Sequence, residues 1–138
     1  MEQNTEIISL TKENYTQHLP ITPVAFSVAE GGAMGSPGQV IIIDEKLNVY
    51  DFWLHEMEKG CAREIIPTLY ECHWGGWNNI IPAFGWNYVD LGFGNHLMVI
   101  DSIYEKFSEI ANGRCKSKGE LYQQWISIVK EILHSKQL

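Results

Sequence analysis

The residues of this chain that could do chemistry fall into two glycine-rich stretches. The first is Glu30-Gly31-Gly32-Ala33-Met34-Gly35-Ser36-Pro37-Gly38, with four glycines in nine residues. Glycine permits positive φ and lets backbone approach a ligand closely, and successive N–H groups in such a loop can cradle an anion. In that reading Gly32 and Gly35 belong to the cradle and Glu30 is the acid/base. The stretch is not a P-loop, since no Gly-Lys-Ser/Thr follows. The spacing of Gly32, Gly35 and Gly38 also misses the dinucleotide fingerprint, and Met34 stands where a nucleophile elbow at Ser36 needs glycine. The structural alternative is a long hairpin connection, although nine residues exceed the usual two to five.

The second stretch runs from His73 to His96 and holds six aromatics, five glycines and four asparagines. His73, Trp74, Trp77 and Asn79 put aromatic faces beside amide and imidazole groups, a composition suited to stacking against sugars, peptides or bases. The alternative is an irregular segment pinned into the core by its tryptophans.

Metal and nucleophile chemistry find little support. Cys61, Cys72, His73, His96 and Cys115 form no CxxC, HxxxH or HxH arrangement, so no metal site is assigned. A Cys72–His96 nucleophilic pair would need a meeting in space that spacing alone does not imply. No catalytic residue and no cofactor is assigned. His18, His55 and His134 are read as surface residues.

Charge points more clearly. The chain has 138 residues and a net charge of −7. Residues 1–99 carry 12 acids against 4 bases, and residues 100–138 carry 5 acids against 6 bases. An acidic front disfavours nucleic acid, whose phosphates reward clustered Lys and Arg. It suits a basic protein, with Glu56 and Glu58 central to the acidic run. Solubility alone is the competing explanation.

The elements that would position these residues follow from pattern. Strands are expected at Thr5–Leu10, at Pro23–Ala29 with Val24, Phe26 and Val28 on one face, at Val40–Ile43, and at Leu47–Trp53 after an Asp44-Glu45-Lys46 turn. Two more are expected at Trp86–Phe93 and Leu97–Ile100. Residues 55–72 suggest one short helix broken before Pro67. Ile103, Phe107, Ile110 and Ala111 mark a helix over 101–112, ended by Gly113. Ser117-Lys118-Gly119-Glu120 matches a capping box opening a longer helix, with Leu121, Trp125, Ile128, Val129 and Ile132 on its apolar face. Strands first and helices last imply one α+β domain: a mostly antiparallel sheet of five to six strands with two C-terminal helices packed on one face.

An odd cysteine count, no apolar N-terminal leader and no apolar run near 20 residues imply a reduced, cytoplasmic protein that does not cross a membrane. The expected function is that of a small acidic binding protein that recognises a basic protein partner, such as an inhibitor or a toxin-neutralising immunity protein. The alternative is a small enzyme or ligand-binding domain with its site between residues 30–38 and 73–96. The oligomeric state is not readable from the sequence.

Overall fold

A computed structural model describes residues 6–29, 38–53, 56–57, 59–66, 69–71, 80–82, 84–114 and 117–137. The strands are β1 (Ile7–Ser9), β2 (Pro23–Ala29), β3 (Gln39–Asp44), β4 (Val49–Trp53), β5 (Leu69–Glu71), β6 (Ile80–Pro82), β7 (Trp86–Gly92) and β8 (Asn95–Ile100). The helices are α1 (Lys59–Ile65), α2 (Asp101–Arg114) and α3 (Lys118–Gln137), with a 3-10 turn over Tyr15–His18. Six strands form one sheet in the order β1-β4-β3-β2-β8-β7, and β5 and β6 form a separate antiparallel pair. Only the β1–β4 pairing of the large sheet is parallel, so the α+β class with a mostly antiparallel sheet holds.

Alternation along the strands divides the core into two clusters. Ile43 and Val49, with Leu97, Val99 and Leu91, share one cluster with Ile103, Phe107 and Ala111 of α2 and with Leu121, Trp125, Ile128, Val129, Ile132 and Leu133 of α3. Phe26, Val28, Val40, Ile42, Tyr50, Phe52 and Met98 point the other way and share a cluster with Leu10, Tyr15, Ile21, Met57, Ile65 and Ile66. The sheet therefore buries apolar side chains on both faces. Trp125 is the largest fully buried side chain among the described residues, and its truncation to alanine would cost about 3–5 kcal/mol.

Several local expectations need correction. Val24 joins the helix-side cluster with Ala25 rather than the face of Phe26 and Val28, because the register against β3 shifts between Pro23 and Ala25. Gly113 does not end α2, which continues through it to Arg114, where a Cβ at Gly113 would meet open space. Leu69–Glu71 is a strand, so the helical reading of 55–72 holds only for Lys59–Ile65. His18 is half-buried and sits edge-on to Tyr50, with ring centroids 6.1 Å apart.

The turn from β3 to β4 is built around one buried carboxylate. Asp44 is 5% exposed and accepts the backbone N–H groups of Lys46 and Asn48, each at 2.9 Å. It also accepts Asn48 Nδ2 at 3.2 Å and the Tyr50 hydroxyl at 3.1 Å. These bonds hold Leu47 at φ 75°, a conformation that non-glycine residues adopt at a cost of roughly 1 kcal/mol or more.

Candidate functional site

Of the residues singled out in the sequence, Glu30, Gly32, Gly35, Glu58, His73, Trp74, Trp77 and Asn79 lie outside the described residues. Glu56 is described: it is exposed and immediately precedes the buried Met57. The sheet shows which described residues flank the first stretch. Val28 pairs with Val40 on one side and His96 on the other, and Ala29 pairs with Asn95. The described residues that flank 30–37 are therefore Ala29, beside Asn95 on β8, and, one residue past Gly38, Gln39, beside Trp53 on β4. That end of the sheet carries Trp53, Gln39, Ala29, Asn95 and Gly92.

Beyond that row lies the β7–β8 turn. Phe93 and Gly94 are its central residues, with φ of 55° and 75°. Two positive φ values mark the type I′ geometry, which favours Asn and Gly because a Cβ strains it. Asn95 holds the turn by donating Nδ2 to the carbonyls of Gly92 at 3.2 Å and Phe93 at 3.1 Å. Phe93 is 89% exposed, so the position carries a bulky side chain in a disfavoured backbone state while burying little of it. A Cβ added at Gly119, in the first turn of α3, would come within 2.5 Å of Phe93 Cε2, so the ring lies against that turn.

At the other side of the sheet end, Trp53 is 46% exposed and pairs with Gln39 across the strands. Trp53, Asp51 and Val49 share one side of β4, the side of the helix cluster. Gln39 Nε2 donates to Asp51 Oδ2 at 2.9 Å, which orients the carboxylate. Ile41 pairs with Asp51 and is half-buried, and Ile7, paired with Val49, is 46% exposed. Trp53 and Gly92, the strand residue before Phe93, stand four strand spacings apart, about 19 Å at roughly 4.8 Å per strand.

The opposite face of β7 and β8 holds a polar cluster. The Tyr88 hydroxyl lies 2.7 Å from His96 Nδ1, and the two rings are tilted by 30° with centroids 5.7 Å apart. Asp90 pairs with His96 across the strands and accepts the Gly92 N–H at 2.9 Å. Trp86, on the same side of β7, packs edge-on against Phe26 instead, which accounts for one aromatic of the segment as core.

Two phenols titrate high for identifiable reasons. Burial, then the Asp44 charge and hydrogen bond, pushes Tyr50 up to about 12. Hydrogen bonds to Cys61 and then Glu64 raise Tyr15 well above its ordinary value; its hydroxyl lies 3.0 Å from Glu64 Oε1. Both are structural anchors. Cys61 is a free, half-buried thiol.

A cavity of about 370 Å³ opens between α2 and α3, lined by Ile103, Ile110 and Ile132 with Lys106, Lys136 and Glu131 at its rim. Arg114 binds both oxygens of Glu131, at 3.1 and 3.2 Å. Among the described residues, no three His, Cys, Asp or Glu side chains converge as a metal would require, and no helix is long and apolar enough to cross a membrane.

Trp53 lies outside both stretches, and Tyr88 and Phe93 belong to the second without being among the residues named for its site. A signal existed for Phe93, since Gly-Phe-Gly-Asn between two alternating strands is a two-residue turn with an apolar residue at its tip. The domain defined by this fold and site is an α+β sheet with an aromatic and acidic end. Comparison with protein-family models, curated proteins and solved structures finds no significant match.

Proposed function

We propose that the protein is a non-enzymatic binding module that engages a basic protein partner through the end of the sheet carrying Trp53 and Phe93. The observation that carries this is Phe93: an 89% exposed phenylalanine at φ 55°, where asparagine or glycine would cost less. Backbone strain and solvent-exposed apolar surface, both adverse to stability, occur together where a residue serves recognition. Trp, Tyr and Phe are the residues that anchor protein interfaces, and a span of about 19 Å between Trp53 and Gly92 suits a standard interface of roughly 800 Å² per partner. Asp51 and Asp90 lie near the same end, and the 12 acids against 4 bases over residues 1–99 supply the steering field. An inhibitor, or an immunity protein that neutralises a basic toxin within the cell, is the concrete form of such a module.

The test uses the partner captured from the native host and then purified. Stopped-flow association should slow steeply as salt rises through about 0.15 M, with dissociation changing less. Phe93→Ala should weaken the complex about tenfold or more, mainly by faster dissociation. A partner without a basic face, or an association rate indifferent to both salt and Glu56→Lys, would remove the proposal.

A second reading, a small ligand-binding or catalytic site between residues 30–38 and the aromatic segment, is favoured by the Tyr88–His96 contact at 2.7 Å. It requires that His96→Gln abolish a measurable turnover or ligand affinity while leaving the protein complex intact.

A further inference from the structure

We propose that Asp51, Trp53 and Gln39 form a guanidinium-recognition site that takes an arginine side chain of the basic partner. The inference rests on the binding function proposed above and adds the chemical group that is read.

The argument begins with which part of the sheet α2 and α3 leave open. On the helix side, Leu91, Leu97 and Val99 of β7 and β8 are at most 1% exposed. Along β1 and the C-terminal part of β4, the same side of the sheet carries Ile7 and Trp53, each 46% exposed. Asp51 lies between them, paired with Ser9 on β1 and with Ile41 on β3. Ser9 is exposed, whereas Ile41 is half-buried against the helix-side cluster.

The residue types then select a cation. Gln39 Nε2 engages Asp51 Oδ2 at 2.9 Å, which spends one lone pair and fixes the carboxylate plane. A carboxylate accepts about four hydrogen bonds in all, so a second, bidentate donor can be accommodated. Trp53 follows two residues along the same face, its backbone about 7 Å from that of Asp51 at a rise of roughly 3.3 Å per residue. A planar cation can stack on that ring while its N–H fork meets the carboxylate. Ile7 and Ile41 offer apolar flanks for a methylene stem.

Arginine meets all three requirements. Its guanidinium is planar, weakly hydrated and bidentate, and it stacks on aromatic faces. Lysine carries the same charge as a compact, strongly hydrated ammonium, which gains less from an indole beside a single oriented carboxylate. Diffuse acidity would attract both equally, so a preference between them separates a built site from a charged surface.

The experiment compares blocked oligoarginine and oligolysine peptides of equal length, titrated into the intact chain at low salt and followed by the indole N–H resonance of Trp53. That resonance is identified by its loss in Trp53→Phe. Oligoarginine should shift it saturably and bind about tenfold more tightly than oligolysine. Trp53→Ala and Asp51→Asn should each bring the two affinities within about twofold, mainly by weakening oligoarginine. Equal binding of the two peptides, or an arginine preference that survives both substitutions, would overturn this inference while leaving a basic partner in place. Binding of neither peptide would overturn the inference and the proposed function together.

Discussion

The Tyr50 hydroxyl donates to Asp44 Oδ2 across 3.1 Å, so a phenol from the core opposite α2 and α3 reaches the carboxylate that organises the β3–β4 turn. Asp44 is thereby shared between local geometry and long-range packing. The same carboxylate takes two backbone N–H groups and the Asn48 amide. Asp44→Ala would leave several of these donors unsatisfied and release the constraint on Leu47. The expected loss is about 2–4 kcal/mol in urea unfolding. Asp44→Asn should cost less, because its remaining oxygen can still accept the Lys46 and Asn48 N–H groups, while its amide nitrogen cannot accept from Asn48 Nδ2 or the Tyr50 hydroxyl.

The two raised phenols set an alkaline limit on stability. A group whose folded pKa lies above its unfolded value contributes stability that is fully present below the unfolded value and is lost as pH rises through the folded one. For Tyr50 that window runs from 10.0 to about 12, and Tyr15 shifts in the same direction. Denaturant midpoints should therefore fall as pH rises above 10. In the Tyr15→Phe/Tyr50→Phe variant the decline should be shallower, even though stability at neutral pH is lower. Parallel curves for the two proteins would contradict this assignment.

Ser117 Oγ accepts the Glu120 N–H at 3.2 Å, the bond expected of an N-cap at the head of α3. Ser117→Ala should cost about 1 kcal/mol, and Ser117→Asp should restore most of it. Thermal unfolding of the three proteins decides the matter.

Gly119 and Phe93 compete for one small space. Alanine at 119 would gain up to about 1 kcal/mol of helix propensity but meets the Phe93 ring at 2.5 Å. The ring is 89% exposed and can swing away at little cost. Gly119→Ala should therefore leave stability unchanged or raise it by about 0.5 kcal/mol. It should weaken partner binding, because it moves Phe93. Phe93→Ala should change stability by less than about 0.5 kcal/mol.

Much of this fold was legible from pattern alone. Strand alternation and the apolar stripe of Leu121, Trp125, Ile128, Val129 and Ile132 located the large sheet and α3, because burial on a fixed period is a strong and local signal. What escaped was set by distant partners. Val24 changed faces through a bulge that exists only in the pairing with β3. Gly113 stayed helical although it resembled a helix stop, and Leu69–Glu71 became a strand only by pairing with Ile80–Pro82. The candidate site was legible to a lesser degree. Composition drew attention to the segment that ends at His96, but Trp53 entered through its cross-strand pair with Gln39, and Phe93 through its φ. The first relationship is not encoded by neighbours in sequence, whereas the second had a local signal in Gly-Phe-Gly-Asn.

The β2–β8 pairing has a kinetic consequence. On one side of it lies a meander, β2-β3-β4, wound from consecutive residues; on the other lies the β7–β8 hairpin, followed directly by α2 and α3. Each side can form through short-range contacts, whereas Phe26 meets Met98 and Ala25 meets Val99 only by closing the long intervening stretch of chain. That closure carries an entropic cost before any burial repays it, so the seam should limit the folding rate. Conservative truncations at the seam, such as Val99→Ala, should then slow folding, and truncations within the meander should mainly accelerate unfolding. The same division suggests that a chain cut between β4 and β7 yields two fragments able to find each other again through that one line of hydrogen bonds.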